Sequence, residues 1–310
     1  TQATQAFDTR TKIELSAIAA GDGGFIINGQ TTDDYSGYSV SSAGDINGDG
    51  LEDLIVGAYY ASPNGESAAG SSYVVFGTTD TTAIELSDIA AGTGGFIING
   101  ESEYDLSGLS VSSAGDINGD GLEDLIVGAY RASPNGDYSG SSYVVFGTTD
   151  TTAIELSAVA AGSGGFIING QSEYDESGYS VSSAGDVNGD GLADLIVGAY
   201  GASPNGERAA GSSYVVFGTT DTTTAIELSA VAAGTGGFVI HGEGGQYDRS
   251  GRSVSSAGDI NGDGLADLII GASGADPNGE SGAGSSYVVF GTTDTTAIEL
   301  SAVAAGSGGF

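Results

Sequence analysis

Residues 45–58 read DINGDGLEDLIVGA, and the string returns as DINGDGLEDLIVGA at 116–129, DVNGDGLADLIVGA at 186–199 and DINGDGLADLIIGA at 259–272. Each copy sets three aspartates and one asparagine in nine residues, with glycines between them, and runs straight into a β-branched apolar stretch. Oxygen ligands at positions 1, 3, 5 and 9 of a tight glycine-containing turn suit a hard cation, Ca2+ above all. In the first copy Asp45, Asn47, Asp49 and Asp53 offer side-chain oxygens and Leu51 its backbone carbonyl. The equivalent sets are Asp116, Asn118, Asp120, Leu122 and Asp124; Asp186, Asn188, Asp190, Leu192 and Asp194; and Asp259, Asn261, Asp263, Leu265 and Asp267. About four bound Ca2+ ions are expected, one per loop.

Other calcium loops differ in the segment after the ligands. An EF-hand opens in the same way, but its twelfth position is a bidentate Glu and its loop leads into a helix. Here the twelfth positions are Val56, Val127, Val197 and Ile270, inside apolar runs that read as strands. The nine-residue G-G-x-G-x-D repeat of calcium β-rolls is absent. A metal-free Asx turn needs only one such side chain and would leave the clustered carboxylates repelling one another. Mg2+ demands a stricter octahedron with more retained water.

The copies stand 71, 70 and 73 residues apart, so an internal repeat organises the chain. Length differences fall in Gly/Ser/Thr-rich stretches: around Asp137-Tyr138, at an extra Thr within Thr222–Thr224, and at Gly244-Gly245. Within one repeat, strands are expected over Tyr38–Ala43, Leu54–Tyr59, Ser72–Phe76 and Phe96–Asn99, with a turn at Pro63-Asn64-Gly65. Between the third and fourth lies Ile84–Gly92, a short helix with Ser87 as its expected N-cap, Asp88 in its first turn and Gly92 as its stop. The implied fold class is all-β: a β-propeller of four blades, about four antiparallel strands each, with a short helix between third and fourth strands. The Ser/Ala/Gly-rich first strand suits the crowded axis where blades converge. A solenoid of stacked β-layers is the competing architecture. The units run approximately 37–107, 108–177, 178–250 and 251–310, with 13–36 as a partial unit and 1–12 as an N-terminal lead; 13–310 reads as one repeat domain.

The ends carry a further pattern. Ile13–Phe25 (IELSAIAAGDGGF) returns as Ile298–Phe310 (IELSAVAAGSGGF), so Phe25–Asn28 is an extra copy of a fourth strand. It could complete the last blade of a closed four-bladed ring. The alternatives are an arc of a longer array, or molecules that pass this leading strand to a neighbour and form a filament.

The 310 residues include 41 Asp+Glu against 6 Lys+Arg, a net charge of -35. Such an excess destabilises a compact state by self-repulsion unless something neutralises it. Four Ca2+ would still leave about -27, which argues against nucleic acid and acidic membrane surfaces as partners. Cys, Met and Trp are absent, so neither disulfides nor thiolate chemistry are available. No apolar run approaches the roughly 18 residues of a membrane span, so no membrane insertion is expected. The first ten residues, TQATQAFDTR, lack the charged and apolar regions of a signal peptide.

Catalytic groups are sparse. His241 is the single histidine, and Asn28, Asn99 and Asn169 hold the matching positions, so a neutral substitution is the simplest account of it. A Ser-His-Asp triad would need Ser and Asp beside His241, and one imidazole cannot form a zinc cluster. Arg131, Arg208, Arg249 and Arg252 match no repeated position. The chain is therefore expected not to be an enzyme.

The order SGYSV, DINGDGLEDLIVGA, GSSYVVFG (Ser36–Val40, Asp45–Ala58, Gly70–Gly77) resembles the FG-GAP repeats of the integrin α-subunit β-propeller and its bacterial relatives. It recurs four times and covers nearly everything after about residue 13. The resemblance implies that the loop joins the first two strands of a blade and binds Ca2+, in a propeller built for extracellular adhesion or recognition. The chain departs from that pattern. The Phe-Gly of the repeat is replaced at Ser36-Gly37, Ser107-Gly108, Ser177-Gly178 and Ser250-Gly251, and the Pro of Gly-Ala-Pro at Tyr59, Tyr130, Tyr200 and Ser273. Integrin propellers have seven blades; four repeats stand here.

Together these readings predict a calcium-stabilised structural or adhesive repeat module, extracellular or at the cell surface, partnered by itself or by other surface proteins or glycans. A carbohydrate- or protein-binding propeller using Tyr59, Tyr60, Tyr130 and Tyr200 is the alternative, and a non-catalytic accessory domain of a larger enzyme is another.

Overall fold

The computed structural model describes residues 14–220 and 225–310. The expected lead over 1–12, Ile13 and the inserted threonine at 222–224 lie outside the described residues. Before the first loop stand α1 (Leu15–Ala19) and β1 (Ile27–Asn28). The first repeat supplies β2 (Ser39–Gly44), β3 (Asp53–Ala58), β4 (Ser71–Val75), β5 (Ile84–Glu85), α2 (Leu86–Ala90) and β6 (Gly95–Asn99). The second supplies β7 (Ser110–Gly115), β8 (Asp124–Ala129), β9 (Ser141–Val145), β10 (Ile154–Glu155), α3 (Leu156–Ala160) and β11 (Gly165–Asn169). The third supplies β12 (Ser177–Gly185), β13 (Asp194–Ala199), β14 (Ser212–Val216), β15 (Ile226–Glu227), α4 (Leu228–Ala232) and β16 (Gly237–His241). The fourth supplies β17 (Ser250–Gly258), β18 (Asp267–Ala272), β19 (Ser285–Val289), β20 (Ile298–Glu299) and α5 (Leu300–Ala304), after which Gly309 bridges back to Val289.

Each of the first three repeats folds as a four-stranded antiparallel blade, in the order β2-β3-β4-β6, β7-β8-β9-β11 and β12-β13-β14-β16. The expected strands are all present, within a residue of their expected limits. The first strands meet one another in sequence, β2 beside β7, β7 beside β12 and β12 beside β17. At each junction a serine hydroxyl accepts a main-chain N–H from the next repeat: Val111 to Ser39 at 3.1 Å, Val181 to Ser110 at 3.0 Å and Val254 to Ser180 at 3.1 Å. Short side chains are what let these strands approach so closely. The all-β propeller class is thus the fold of the chain, with antiparallel hairpins inside each repeat where a solenoid would pair strands in parallel between repeats.

One element departs from the expectation. Ile84-Glu85 and its equivalents are not the opening of the helix but a two-residue strand, and it pairs in parallel with the fourth strand of the repeat before: β10 on β6, β15 on β11 and β20 on β16. A two-residue strand carries no hydrophobic period, so only the fold reveals it. The helix accordingly starts at Leu86, with Glu85 at the N-cap and no side-chain cap; Ser87 lies inside it. Leu86 and Ile89 decide that phase, because they are the residues the helix buries.

The core lies between blades. Ala43, Ile46, Ile55, Val74 and Phe96 of the first repeat pack with Val111, Leu125, Val127, Tyr143 and Val145 of the second. The same residue types meet between the second and third repeats and between the third and fourth. Successive residues of β3 and β8 therefore face opposite neighbours, and both faces are apolar. At the leading end, β1 pairs with β5, Ile27 opposite Ile84, and not with the fourth repeat. The described residues form an open run of blades.

Candidate metal centres

Each carboxylate loop joins the first and second strands of its blade. Asp45 follows the last residue of β2 and Asp53 opens β3, opposite Gly44 across an irregularity in the ladder. Gly48 and Gly50 have φ of 74° and 89°, a left-handed conformation that glycine adopts without a β-carbon penalty. That conformation lets the loop close on its own side chains. The Asp49 and Gly50 N–H groups donate to the two Asp45 oxygens at 3.0 and 2.9 Å. Asn47 Oδ1 accepts the Asp49 N–H at 2.8 Å, and Asp49 Oδ1 accepts the Leu51 N–H at 2.9 Å. The second, third and fourth loops repeat this net through Asp116, Asp186 and Asp259.

The ninth residue behaves differently. Asp53, Asp124, Asp194 and Asp267 are fully buried. Asp124 Oδ2 accepts the Ile117 N–H at 3.0 Å and its Oδ1 accepts the Gly147 N–H at 2.9 Å. Asp53 ties Ile46 to Gly77, Asp194 ties Val187 to Gly218, and Asp267 ties Ile260 to Gly291. This carboxylate thus fastens the loop to the end of the third strand, a role that ligand spacing alone does not suggest. Burial pushes the Asp124 carboxyl up to about 7; the Gly147 and Ile117 N–H groups oppose the rise, and Asp120 and Asp116 add to it. Asp194 rises to about 6 for the same reasons, and Asp53 rises in the same direction. The first three loops also lean on the next blade: Thr148 donates its N–H to the Ile46 carbonyl at 3.0 Å, Thr219 to the Ile117 carbonyl at 3.1 Å and Ala266 to the Asp186 carbonyl at 2.9 Å.

Among the described residues, no three carboxylate or imidazole groups converge closely enough to hold a metal ion as they stand. The carboxylates turn instead to the loop's own N–H groups. The donor chemistry still fits a hard cation: the side-chain donors are oxygens, and a carboxylate oxygen that accepts one N–H keeps a further lone pair.

A second set of polar groups, unforeseen from the sequence, lies between blades. Tyr73, Tyr143 and Tyr214 donate their hydroxyls to Gln30 at 2.7 Å, Glu101 at 2.7 Å and Gln171 at 2.8 Å, and Tyr287 donates to Glu243. Beside them stand Asp34, Asp105, Asp175 and Asp248. Burial, reinforced by Glu101, pushes Asp105 up to about 7, and burial pushes Asp175 up to about 6. The sets around Tyr143, Tyr73 and Tyr214 line cavities of 780, 580 and 240 Å³ respectively. The recurring pairs Gln30/Asp34, Glu101/Asp105 and Gln171/Asp175 were the available signal.

The expected tyrosine platform is not one surface. Tyr60 is exposed, Tyr59 and Tyr200 are half-buried, and Tyr130 is buried. Three of the four arginines that match no repeated position lie over tyrosine rings: Arg131 on Tyr130 and Tyr138, Arg208 on Tyr247, and Arg252 on Tyr179 and Tyr200. His241 Nδ1 lies 3.2 Å from Ser212 Oγ. Serine holds the same place opposite Asn99 and Asn169, at Ser71 and Ser141, so that serine belongs to the strand pair and not to the histidine. Asn99 and Asn169 bind Glu155 and Glu227 of the added parallel strand, at 2.8 and 2.7 Å.

A family model described as "FG-GAP repeat" matches residues 36–75, 107–145, 177–216 and 250–289, together just over half of the chain. Each match covers the first three strands of a blade and the loop. Integrin alpha-PS2 of Drosophila melanogaster is 30% identical over 182 residues, covering 57% of this chain and 12% of its own length. Integrin alpha-IIb of Mus musculus is 31% identical over 183 residues, 57% of this chain and 16% of its own. Integrin alpha pat-2 of Caenorhabditis elegans is 27% identical over 243 residues, 77% of this chain and 18% of its own. The chain thus spans less than a fifth of the length of these relatives. Among the described residues, no helix is long and apolar enough to cross a membrane.

Proposed function

The chain belongs to the FG-GAP repeat family, and from that membership we propose that it is a calcium-stabilised structural and adhesive module of a secreted or cell-surface protein. The observation that carries this reading is the loop net, repeated four times, in a molecule of net charge -35. In the first loop Asp45, Asn47, Asp49, Asp53 and the Leu51 carbonyl would hold the ion, and the equivalent residues would hold it in the other three. The ion would supply positive charge where buried Asp124 and Asp194 otherwise meet only like charges and N–H dipoles. Extracellular calcium modules bind in the range of about 10⁻⁴–10⁻³ M. At a calcium concentration ten times its dissociation constant, each site adds about 1.4 kcal/mol to stability. The array of blades is the structural part of the function; surface proteins are the proposed partners, and no catalytic role is assigned.

Thermal melting with and without calcium tests the reading. Millimolar Ca2+ is expected to raise the melting temperature markedly over excess EGTA, and calorimetry is expected to find about four sites. An unchanged melt in EGTA would remove it.

A second reading, a glycan- or protein-binding surface, is favoured by one observation. The 780 Å³ cavity brings Tyr104 and Tyr138 together with Arg131, Glu101 and Asp105, a mix of aromatic faces and hydrogen-bonding groups. Binding lost on Tyr138→Ala but kept in EGTA would favour it over the calcium-dependent module.

A further inference from the structure

We propose, resting on the calcium reading above, that adjacent loops fill cooperatively because they share a peptide unit that carries a ligand. Filling one site then regulates the affinity of the next. Only the three junctions inside the chain are involved.

The shared unit is the peptide between the seventh and eighth loop residues. In the fourth loop Leu265 offers its carbonyl as a ligand. The N–H of the same peptide, on Ala266, donates to the main-chain carbonyl of Asp186 at 2.9 Å. The Asp186 side chain is the first ligand of the third loop. One junction earlier the Leu192–Ala193 peptide repeats the arrangement, with the Ala193 N–H 3.4 Å from the Asp116 carbonyl. A peptide unit is planar, so an N–H held by one loop aims the opposite C=O into the next. A cation drawing on that C=O polarises the N–H and strengthens its bond in return. At the first junction Glu123 takes the place of Ala193 and Ala266. Among the described residues its N–H makes no such bond to Asp45. The Thr148 and Thr219 bonds end on Ile46 and Ile117, which supply no ligand.

Side chains make a second link. Leu122, Leu192 and Leu265 lie on the preceding loop, where a β-carbon on Gly48, Gly119 or Gly189 would stand 3.1, 3.2 or 3.0 Å from their Cδ2 atoms. Those glycines separate the asparagine ligand from the middle aspartate. Each leucine therefore joins its own carbonyl ligand to the segment between two ligands of the neighbouring site.

The loops must rearrange to take an ion, because their carboxylates do not converge as they stand and accept the loop's own N–H groups instead. A loop already drawn round an ion presents a fixed carbonyl and a fixed glycine to its neighbour. The neighbour then has less to rearrange, which is positive cooperativity. Charge acts in the opposite sense, since a filled loop is less negative and attracts the next cation less. Salt screens that opposition to a range of about 3 Å at about 1 M, and leaves the shared peptide in place.

Calcium titration of the full chain in about 1 M sodium chloride, followed by NMR, tests the coupling. The Gly50, Gly121, Gly191 and Gly264 N–H groups each donate to the first aspartate of their loop, so their signals report the four sites separately. Asn188→Ala removes one neutral ligand from the third loop. It is expected to raise the half-saturating calcium concentration at Gly264 about 5-fold or more, at Gly121 by less, and at Gly50, two loops away, least. That order follows the 2.9 Å and 3.4 Å bonds. Leu265→Ala keeps its carbonyl and every ligand of the third loop, yet is expected to weaken binding at Gly191. Both residues are partly exposed, so the blade cores stay intact. Variants that move only the signal of their own loop would overturn the coupling and leave the calcium reading standing. So would an Asn188→Ala chain whose neighbouring sites tighten, as charge alone requires. Wild-type signals that ignore calcium would overturn both.

Discussion

Gly128 in the second strand of one blade packs against the carbonyl oxygen of Gly178 in the next, so closely that a β-carbon at Gly128 would stand 2.0 Å from that oxygen. The contact is backbone on backbone, and no side-chain rotation can relieve it. It accounts for the glycine in the otherwise apolar run DLIVGA, where a residue with a side chain would pack better in isolation.

Gly128→Ala is therefore expected to destabilise the chain by about 3 kcal/mol, at the upper end of overpacking costs. Gly271→Ala, where the space is open, is expected to change stability by no more than about 0.5 kcal/mol. Urea denaturation of both variants, at concentrations where the chain is monomeric, compares them. Equal losses would show that the cost comes from the strand itself and not from the neighbouring blade.

Asp124 and Asp120 separate anchoring from metal binding within one loop. Asp124→Ala leaves the buried Ile117 N–H and the Gly147 N–H without acceptors and is expected to cost about 3 kcal/mol even in EGTA. Asp120 sits at the exposed tip and accepts the Leu122 N–H and an Asn118 amide proton. Asp120→Ala is expected to cost about 1 kcal/mol or less in EGTA, while weakening calcium binding. Chemical denaturation in EGTA beside a calcium titration checks both. Similar losses in EGTA would contradict the anchoring role of Asp124.

The inter-blade carboxyls give a pH dependence of definite sign. Asp105 titrates near 7 in the folded chain, from an ordinary value of 3.8, and Asp175 near 6. The folded state then holds more protons than the unfolded state between about pH 4 and 7, so stability falls as pH rises through that window. Asp105→Asn, which keeps the shape without the charge, is expected to flatten part of that slope. Melting curves at a series of pH values, in saturating calcium so that the loop carboxylates stay ionised, measure it. A wild-type slope unchanged by Asp105→Asn would place the effect elsewhere.

The parts legible in the sequence were those whose signal is local. The D-x-N-G-D-G spacing, the β-branched run after it and the Ser/Ala/Gly strand before it lie within about twenty residues of one another, and each found its expected element. Ile154-Glu155 could not be recognised as a strand because two residues have no period and its partner, Ile98-Asn99, belongs to the preceding blade. The anchoring by Asp124 depends on Gly147, which comes near only after the third strand folds back. Arg131, Arg208 and Arg252 look scattered along the chain because each meets tyrosines from different loops. Tyr130 read as a surface aromatic and proved buried, packed with Leu106 and Leu109 and edge-on to Tyr179.

Charge provides the last prediction. With a net charge of -35, the folded chain is opposed by its own field, and the loops concentrate that field where four or more acidic oxygens surround each turn. Salt shortens the range of repulsion from about 10 Å at 0.1 M to about 3 Å at 1 M. In EGTA, adding sodium chloride is therefore expected to raise the melting temperature, because the N–H groups that meet the loop carboxylates carry no net charge to cancel theirs. In saturating calcium the same addition is expected to do less, since the ions already neutralise those groups and salt also weakens their attraction to the carboxylates. Melting at low and high salt, in EGTA and in calcium, gives the four values needed. A salt effect of equal size in both conditions would mean that the repulsion is spread over the general surface, and that the loops are not where calcium acts on stability.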